Sequence, residues 1–386
     1  MVEARWLRWF GPGVVAVGAV GLVGSTAFGA AMHVPTPQAC AGSPAERNAA
    51  AHRAVAMDLA DLRSAPWFRL DARLDHDGSL AGQTLAVGLD GESGGRVSEW
   101  PAESFAAGPF GQVVLVGTDD GSVSSLQALD VATGCTWPIA TERSVIRRAT
   151  IDPTGTTVFE MRVDRLTRAD LGIFSRPMDG HVPARQILPA PATDGRFGRT
   201  WSTEFTWDLE GDKLAVQSCG DVACRTRIIE PDDGPTVLLD APDLGTLVGF
   251  GRDRLVSYVA CRGLPCPIVS TDLVTGRRVT LASAAGPAVV VATADGPRLV
   301  DESPTASGRG LRSVALDGSA PAELGPIPDG LGLVPAPVLA GSATRLPTGW
   351  VLLAPDGRLP LDGRSGDPRL RHIPDGATIP LVEAAR

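Results

Sequence analysis

The chain has 386 residues, of which 44% are hydrophobic and only 5% aromatic, and it carries a formal net charge of -9. That length and apolar content suit a globular protein with a large core and exclude a disordered chain. The acidic balance leaves no basic stripe to neutralise phosphates, so a nucleic-acid partner is not expected. Lys213 is the sole lysine and Asn48 the sole asparagine. This bias fits a GC-rich coding sequence.

The N-terminus reads as an export signal. Arg5 and Arg8 stand among tryptophans, and Gly13 to Met32 then runs without a charge, with small residues at Ala27, Gly29 and Ala31 suited to signal peptidase. About 20 apolar residues also suffice to span a bilayer, so residues 1–32 are expected to be a signal peptide or a membrane anchor. Residues 33–66 follow as a linker and a capped helix. Ser43 is the N-cap, Pro44 takes the first helical position and Glu46 completes a capping box. Val55, Leu59 and Leu62 share one face with His52, and the helix is expected to pack on the rim of the next domain.

From residue 67 to 386 the period is alternating. Short runs rich in Val, Leu, Ile and Thr lie between Gly, Asp and Pro turns: 83–88, 112–117, 157–163, 214–217, 255–259, 288–292 and 350–354. Two units repeat to the residue. Cys219 and Cys224 lie 15 and 10 positions before Gly234, and Cys261 and Cys266 lie 15 and 10 before Gly276. The outer turn glycines are expected at Gly134, Gly180, Gly234, Gly276, Gly318 and Gly363, at intervals of 46, 54, 42, 42 and 45 residues. A poorer unit fits upstream with its turn near Gly94. Repeats of this length built from four short strands define a β-propeller of six or seven four-stranded blades, with seven favoured. Each twisted sheet covers its neighbour, which one sheet alone cannot do.

The stretches Ala149-Thr-Ile-Asp-Pro-Thr-Gly-Thr-Thr-Val-Phe-Glu160 and Phe205-Thr-Trp-Asp-Leu-Glu-Gly-Asp-Lys-Leu-Ala-Val216 resemble the strand, Asp-Pro-Asp-Gly turn, strand signature of TolB-like, WD-repeat-like propellers. The turn also has a local rationale: Asp caps it, Pro fixes φ and Gly takes the positive φ. The resemblance spans roughly Glu103 to Pro374. It implies an exported binding or scaffolding propeller and names no ligand.

Chemistry-bearing motifs are sparse. The five histidines are scattered, and neither a nucleophile elbow nor a phosphate loop is present. Asp71, Asp75 and Asp77 lack the closing glutamate of a calcium loop and read as an acidic turn. Arg147, Arg148, Arg165 and Arg168 form the most basic local cluster and are the candidate anionic-ligand patch. The expected function is a non-enzymatic binding or scaffold protein of the cell envelope or exterior, holding a protein, peptide or glycan on a propeller face without a cofactor or metal. The alternatives are a channel-centred hydrolase or lactonase and the sensor ectodomain of a membrane-anchored regulator. Membrane contact is expected only through the N-terminal segment.

Six cysteines in an exported chain point to disulfides rather than zinc. In each repeat the first cysteine closes one strand and the second opens the next. Opposed Cα atoms in such a ladder lie about 4.5 to 5.5 Å apart, at the span a disulfide needs. Non-reducing peptide mapping should therefore find Cys219 with Cys224, Cys261 with Cys266 and, by elimination, Cys40 with Cys135. The short loops should each add about 2 kcal/mol by chain entropy. A free Cys40 would refute the set.

Overall fold

The computed structural model describes the backbone of residues 38–39, 66–74, 80–88, 93–101 and 104–107. From 113 to 380 it describes all but 131–134, 153–154, 191–201, 220–223, 232–235, 243, 260–265, 306–307, 336–345, 347 and 356–368, with side chains from Leu115 onward except at 116, 118, 129–130, 135, 202–204, 219, 242 and 380. The expected helix from Ser43, the acidic turn after Asp71 and Gly363 lie on or beside segments outside the described residues. Those residues form no helix and seven sheets in chain order.

The first sheet is β2 (Pro66–Leu74), β3 (Leu80–Gly88) and β4 (Ser93–Pro101). The second is β5 (Ser104–Ala107), β6 (Val113–Asp119), β7 (Ser124–Asp130) and β8 (Cys135–Glu142), with β1 (Gln38–Ala39) beyond β8. The third is β9 (Val145–Ile151), β10 (Thr157–Val163), β11 (Asp170–Pro177) and β12 (Arg185–Leu188). The fourth is β13 (Ser202–Trp207), β14 (Leu214–Cys219), β15 (Cys224–Glu230) and β16 (Thr236–Pro242). The fifth is β17 (Thr246–Gly251), β18 (Arg254–Tyr258), β19 (Cys266–Asp272) and β20 (Arg278–Ala285). The sixth is β21 (Ala288–Val291), β22 (Arg298–Thr305), β23 (Gly308–Ala315) and β24 (Ala322–Pro326). The seventh is β25 (Leu331–Leu333), β26 (Trp350–Pro355), β27 (Arg369–His372) and β28 (Thr378–Pro380).

All pairings within these sheets are antiparallel except that of β1, which runs parallel to β8 with Gln38 opposite Cys135. First strands meet first strands from β5 through β9, β13 and β17 to β21, while β25 meets β22. The first strands therefore form an inner arc and the fourth strands lie outermost, as in the blades of a β-propeller. Gly180, Gly276 and Gly318 occupy third-to-fourth strand turns at positive φ. In the seventh sheet that turn carries Gly376, at φ 72°.

Period-two alternation explains the packing. In β14, Leu214 and Val216 face a cluster with Phe159, Met161 and Ile173 of the third sheet, while Ala215 between them joins Phe250 and Leu255 of the fifth. In β22, Leu299 packs with Val256 and Ile268 of the fifth sheet, and Val300 with Leu333 and Leu353 of the seventh. Each seam is a separate core. A buried Val, Leu, Ile or Phe contributes about 1.5–3 kcal/mol, so the sum over a seam exceeds any single polar contact in it.

Arginines on third strands stitch the same seams. Arg176 donates from Nη1 to Ile139 O (3.1 Å), Arg227 to Pro189 O (2.5 Å) and Arg371 to Pro326 O (2.7 Å). Each acceptor belongs to the preceding sheet or to the chain just leaving it. Gln217 and Glu302 reach forward instead. Gln217 bonds Gly245 O and Leu247 N–H, and Glu302 accepts the N–H of Leu333.

The seam between the second and third sheets also holds four charges, of which Glu160, Arg162 and Arg176 are buried and Glu142 is half-buried. Arg162 donates to Glu160 (2.7 Å) and Glu142 (3.0 Å), with its guanidinium 4.3 Å from the Phe174 ring centre. Arg176 pairs with Glu142 and lies 2.7 Å from Glu160 through Nε, an ion pair whose direction falls outside hydrogen-bond geometry.

Where the outer strands meet their neighbours, β4, β8, β12, β16, β20 and β24 all show register shifts. Bulges twist an edge away from flat pairing, which protects an open strand against edge-to-edge association.

Arg176→Ala would leave Glu142 and Glu160 sharing the single guanidinium of Arg162 at the seam. It should lower the unfolding free energy by about 3–5 kcal/mol. Arg225→Ala, which breaks the more exposed pair with Asp240, should cost no more than about 1 kcal/mol. Urea unfolding of both variants checks the contrast.

Candidate functional site

Three of the inner strands, β17, β21 and β25, are largely sealed. Burial along β21 and β25 is complete, and β17 exposes only Thr246. β9 differs, because Arg147 and Arg148 are both exposed within a strand otherwise buried or half-buried. Neighbours on a regular strand point to opposite faces, so one of the two should be buried. A bulge removes that constraint. Met161 pairs with Arg148 and Arg162 with Ile146, which leaves Arg147 as the extra residue. Among the described residues neither guanidinium takes an ion-pair partner.

The other two arginines of the sequence-derived patch serve the fold. Arg165, in the β10–β11 turn, grips Asp119 with a fork of 2.7 and 2.8 Å and donates to Arg143 O (3.0 Å). Arg168 is exposed at φ 60°, in the turn position that Gly276 fills at φ 68° in the fifth sheet. The two turns match in detail: Asp164 accepts the N–H of Thr167 and Asp272 that of Thr275. The basic cluster thus divides into an open pair, a structural clamp and a turn residue.

Cys219, Cys224 and Cys266 stand at the ends of second and third strands, where these form hairpins. Cys219 stands opposite Cys224 in the β14–β15 ladder. In the fifth sheet Tyr258 pairs with Ile268 and Val259 N–H donates to Pro267 O, one residue off the register that would set 261 directly opposite 266. Cys224 and Cys266 are disulfide-bonded, and Cys266 is fully buried. Cys40 and Cys261 lie outside the described residues. β1 ends one residue before Cys40, after pairing Gln38 with Cys135.

The two Asp-turn stretches close as local chemistry requires. Asp152 Oδ1 accepts the N–H of Thr156 and Thr157, both at 2.7 Å, and Asp208 Oδ1 accepts those of Gly211, Asp212 and Lys213 at 2.7 to 3.1 Å. Burial, with Asp212 nearby, pushes the Asp208 carboxyl up to about 7. Sequence reasoning did not single out Glu142, Glu160 or Arg176, whose pairing is set by strand placement. Among the described residues no group of three or more His, Cys, Asp or Glu side chains is placed to hold a metal.

Several solved propellers are similar to this chain. TolB from Acinetobacter baumannii is 12% identical, with 66% of this chain and 61% of TolB covered and a TM-score of 0.38. The β-propeller domain of the Trilobed protease from Pyrococcus furiosus is 14% identical over 82% of this chain and 84% of that domain, with a TM-score of 0.44. A prolyl endopeptidase is 13% identical over 88% of this chain and 52% of its own length, with a TM-score of 0.49. The chain therefore spans less than two thirds of TolB and about half of the endopeptidase. No family model and no curated protein matches it. Its own sheets define the class: an all-β protein with the architecture of a β-propeller.

Burial alone would raise the Asp119 carboxyl, but the Arg165 fork, the Ser124 hydroxyl and the Gly121 N–H hold it down to about 2. A depressed carboxylate contributes stability that is present above its unfolded value near 3.8 and lost as pH falls through the folded one. The Ser124 and Gly121 bonds remain without the guanidinium and solvent screens part of the pair, so Arg165→Gln should cost about 1 kcal/mol at neutral pH. The gap from wild type should close between pH 4 and pH 2 in urea titrations run across that range.

Proposed function

We propose that the chain is an extracytoplasmic binding propeller whose inner strands present Arg147 and Arg148 to a carboxylate-bearing partner, either an acidic protein or peptide or an acidic glycan. The observation that carries this reading is the β9 bulge, which exposes two guanidiniums without an ion-pair partner among the described residues, in an arc where β21 and β25 are buried throughout. Guanidinium forks match carboxylates bidentately and are weakly hydrated, so two of them beside apolar strands favour a carboxylate over a neutral ligand. The net charge of -9 limits indiscriminate capture of anions and leaves recognition to this local pair.

Export is supported by the charged-then-apolar N-terminus and by the disulfide-bonded Cys224 and Cys266, since such bonds persist in oxidising compartments. The β1–β8 pairing, which brings the chain before Cys40 beside Cys135, supports a Cys40–Cys135 crosslink.

Calorimetric titration with hexaglutamate and with polygalacturonate, each against its neutral counterpart, tests the reading. Wild type should bind at least one acidic probe, and the Arg147→Ala/Arg148→Ala double variant should bind it at least about tenfold more weakly, at the scale of a lost charge-assisted contact. Unchanged binding by a folded double variant would overturn the proposal. So would turnover of an ester or lactone that the double substitution abolishes, which would make the site catalytic. A C-terminal reporter active only in the cytoplasm would overturn the compartment.

A further inference from the structure

A second concave site lies on the rim, away from the inner strands. A cleft of about 370 Å³ opens between β8, an outer strand of the second sheet, and the β11–β12 turn of the third. Its parts are fixed against one another. The Trp137 indole N–H donates to Met178 O at 3.0 Å, and Gly180 is pressed so closely onto β8 that a Cβ there would lie 2.5 Å from Pro138 O. Arg176, with a side chain 5% exposed, forms part of the floor, and its charge is matched inside the Glu142, Glu160, Arg162 network. Two arginines against two glutamates leave that network neutral.

What remains in the lining is the Asp179 carboxylate, with the His181 imidazole in the same turn. Asp179 uses one oxygen to accept the backbone N–H of His181 (3.0 Å), and among the described residues it has no cationic partner. Beside it Val182 is 50% exposed, an apolar side chain held open to solvent at the cleft wall, and Pro138 and Pro183 extend that surface. A carboxylate next to an apolar wall is complementary to a long side chain that is apolar along its stem and cationic at its tip. The acidic protein as a whole draws such groups in.

We infer that the rim cleft binds an arginine or lysine side chain of a partner peptide, with the cation on Asp179 and the stem along Val182 and the prolines. This site is independent of the arginine pair on β9.

The test uses the full chain and three probes observed by ligand-detected NMR: N-acetyl-arginine amide, its uncharged isostere N-acetyl-citrulline amide and the tripeptide Gly-Arg-Gly. The arginine probes should bind about tenfold more tightly than citrulline, the scale of one charge-assisted hydrogen bond. Asp179→Asn should bring arginine down to the citrulline level. Val182→Lys, at an exposed position where folding is not at stake, should weaken it equally, and the Arg147→Ala/Arg148→Ala variant should bind as wild type does. Equal binding of arginine and citrulline, no detectable binding of either arginine probe, or an Asp179→Asn protein that binds arginine unchanged would each overturn the inference. Loss of binding in the double arginine variant would overturn it too, by placing the cation elsewhere.

Discussion

The structure depends on strands that are apolar on both faces. Such a strand has no surface it can leave to water, and a single twisted sheet covers neither of its own sides. The second strands of the sheets carry this property most strongly: Leu214, Ala215 and Val216 divide their contacts between the third and fifth sheets, and Leu299 and Val300 between the fifth and seventh. Once one sheet is built this way it requires a neighbour on either side, and the chain supplies them in order. The inner arc, the outer edges and the position of β9 follow from that requirement.

Polar side chains then decide how neighbouring sheets register. Apolar seams resist separation, but they tolerate sliding better than directional bonds do. Arg176, Arg227 and Arg371 bond backbone carbonyls across a seam, and a guanidinium is suited to the task because its several donors are held in one rigid plane. In a chain with a single lysine, arginine serves as stitch, clamp and exposed cation, and the surroundings alone set which role each one takes. Arg162 and Arg147 are only 15 positions apart in sequence, yet one is buried against two carboxylates and a ring while the other faces solvent.

The sequence displayed the second strands clearly and the outer strands poorly. The run expected at Thr157–Val163 coincides with β10, and those near 214, 255 and 350 fall in β14, β18 and β26. Two buried faces make a continuous apolar run that stands out against polar turns. An outer strand such as β24, exposed or half-buried throughout, has no comparable pattern. The seventh sheet shows a different limit: both Asp362-Gly363 and Asp375-Gly376 are sound turn dipeptides, and the ladder between β27 and β28 selects the second. The basic cluster was visible as composition only. Arg165 is occupied by Asp119, 46 residues earlier, and the exposure of both Arg147 and Arg148 is set by how β9 aligns with β10. Neither fact has a local signal.

The pairing of β1 with β8 determines where force would enter the protein. Any pull on the chain upstream of Gln38 passes first into the outer edge of the second sheet, because that is where Gln38 and Ala39 are held. Ladder bonds run across the strands, so tension along β1 loads them in shear. A protein held from its N-terminus would therefore hang from one side of a blade, with the mechanical load kept off the inner strands and off Arg147 and Arg148.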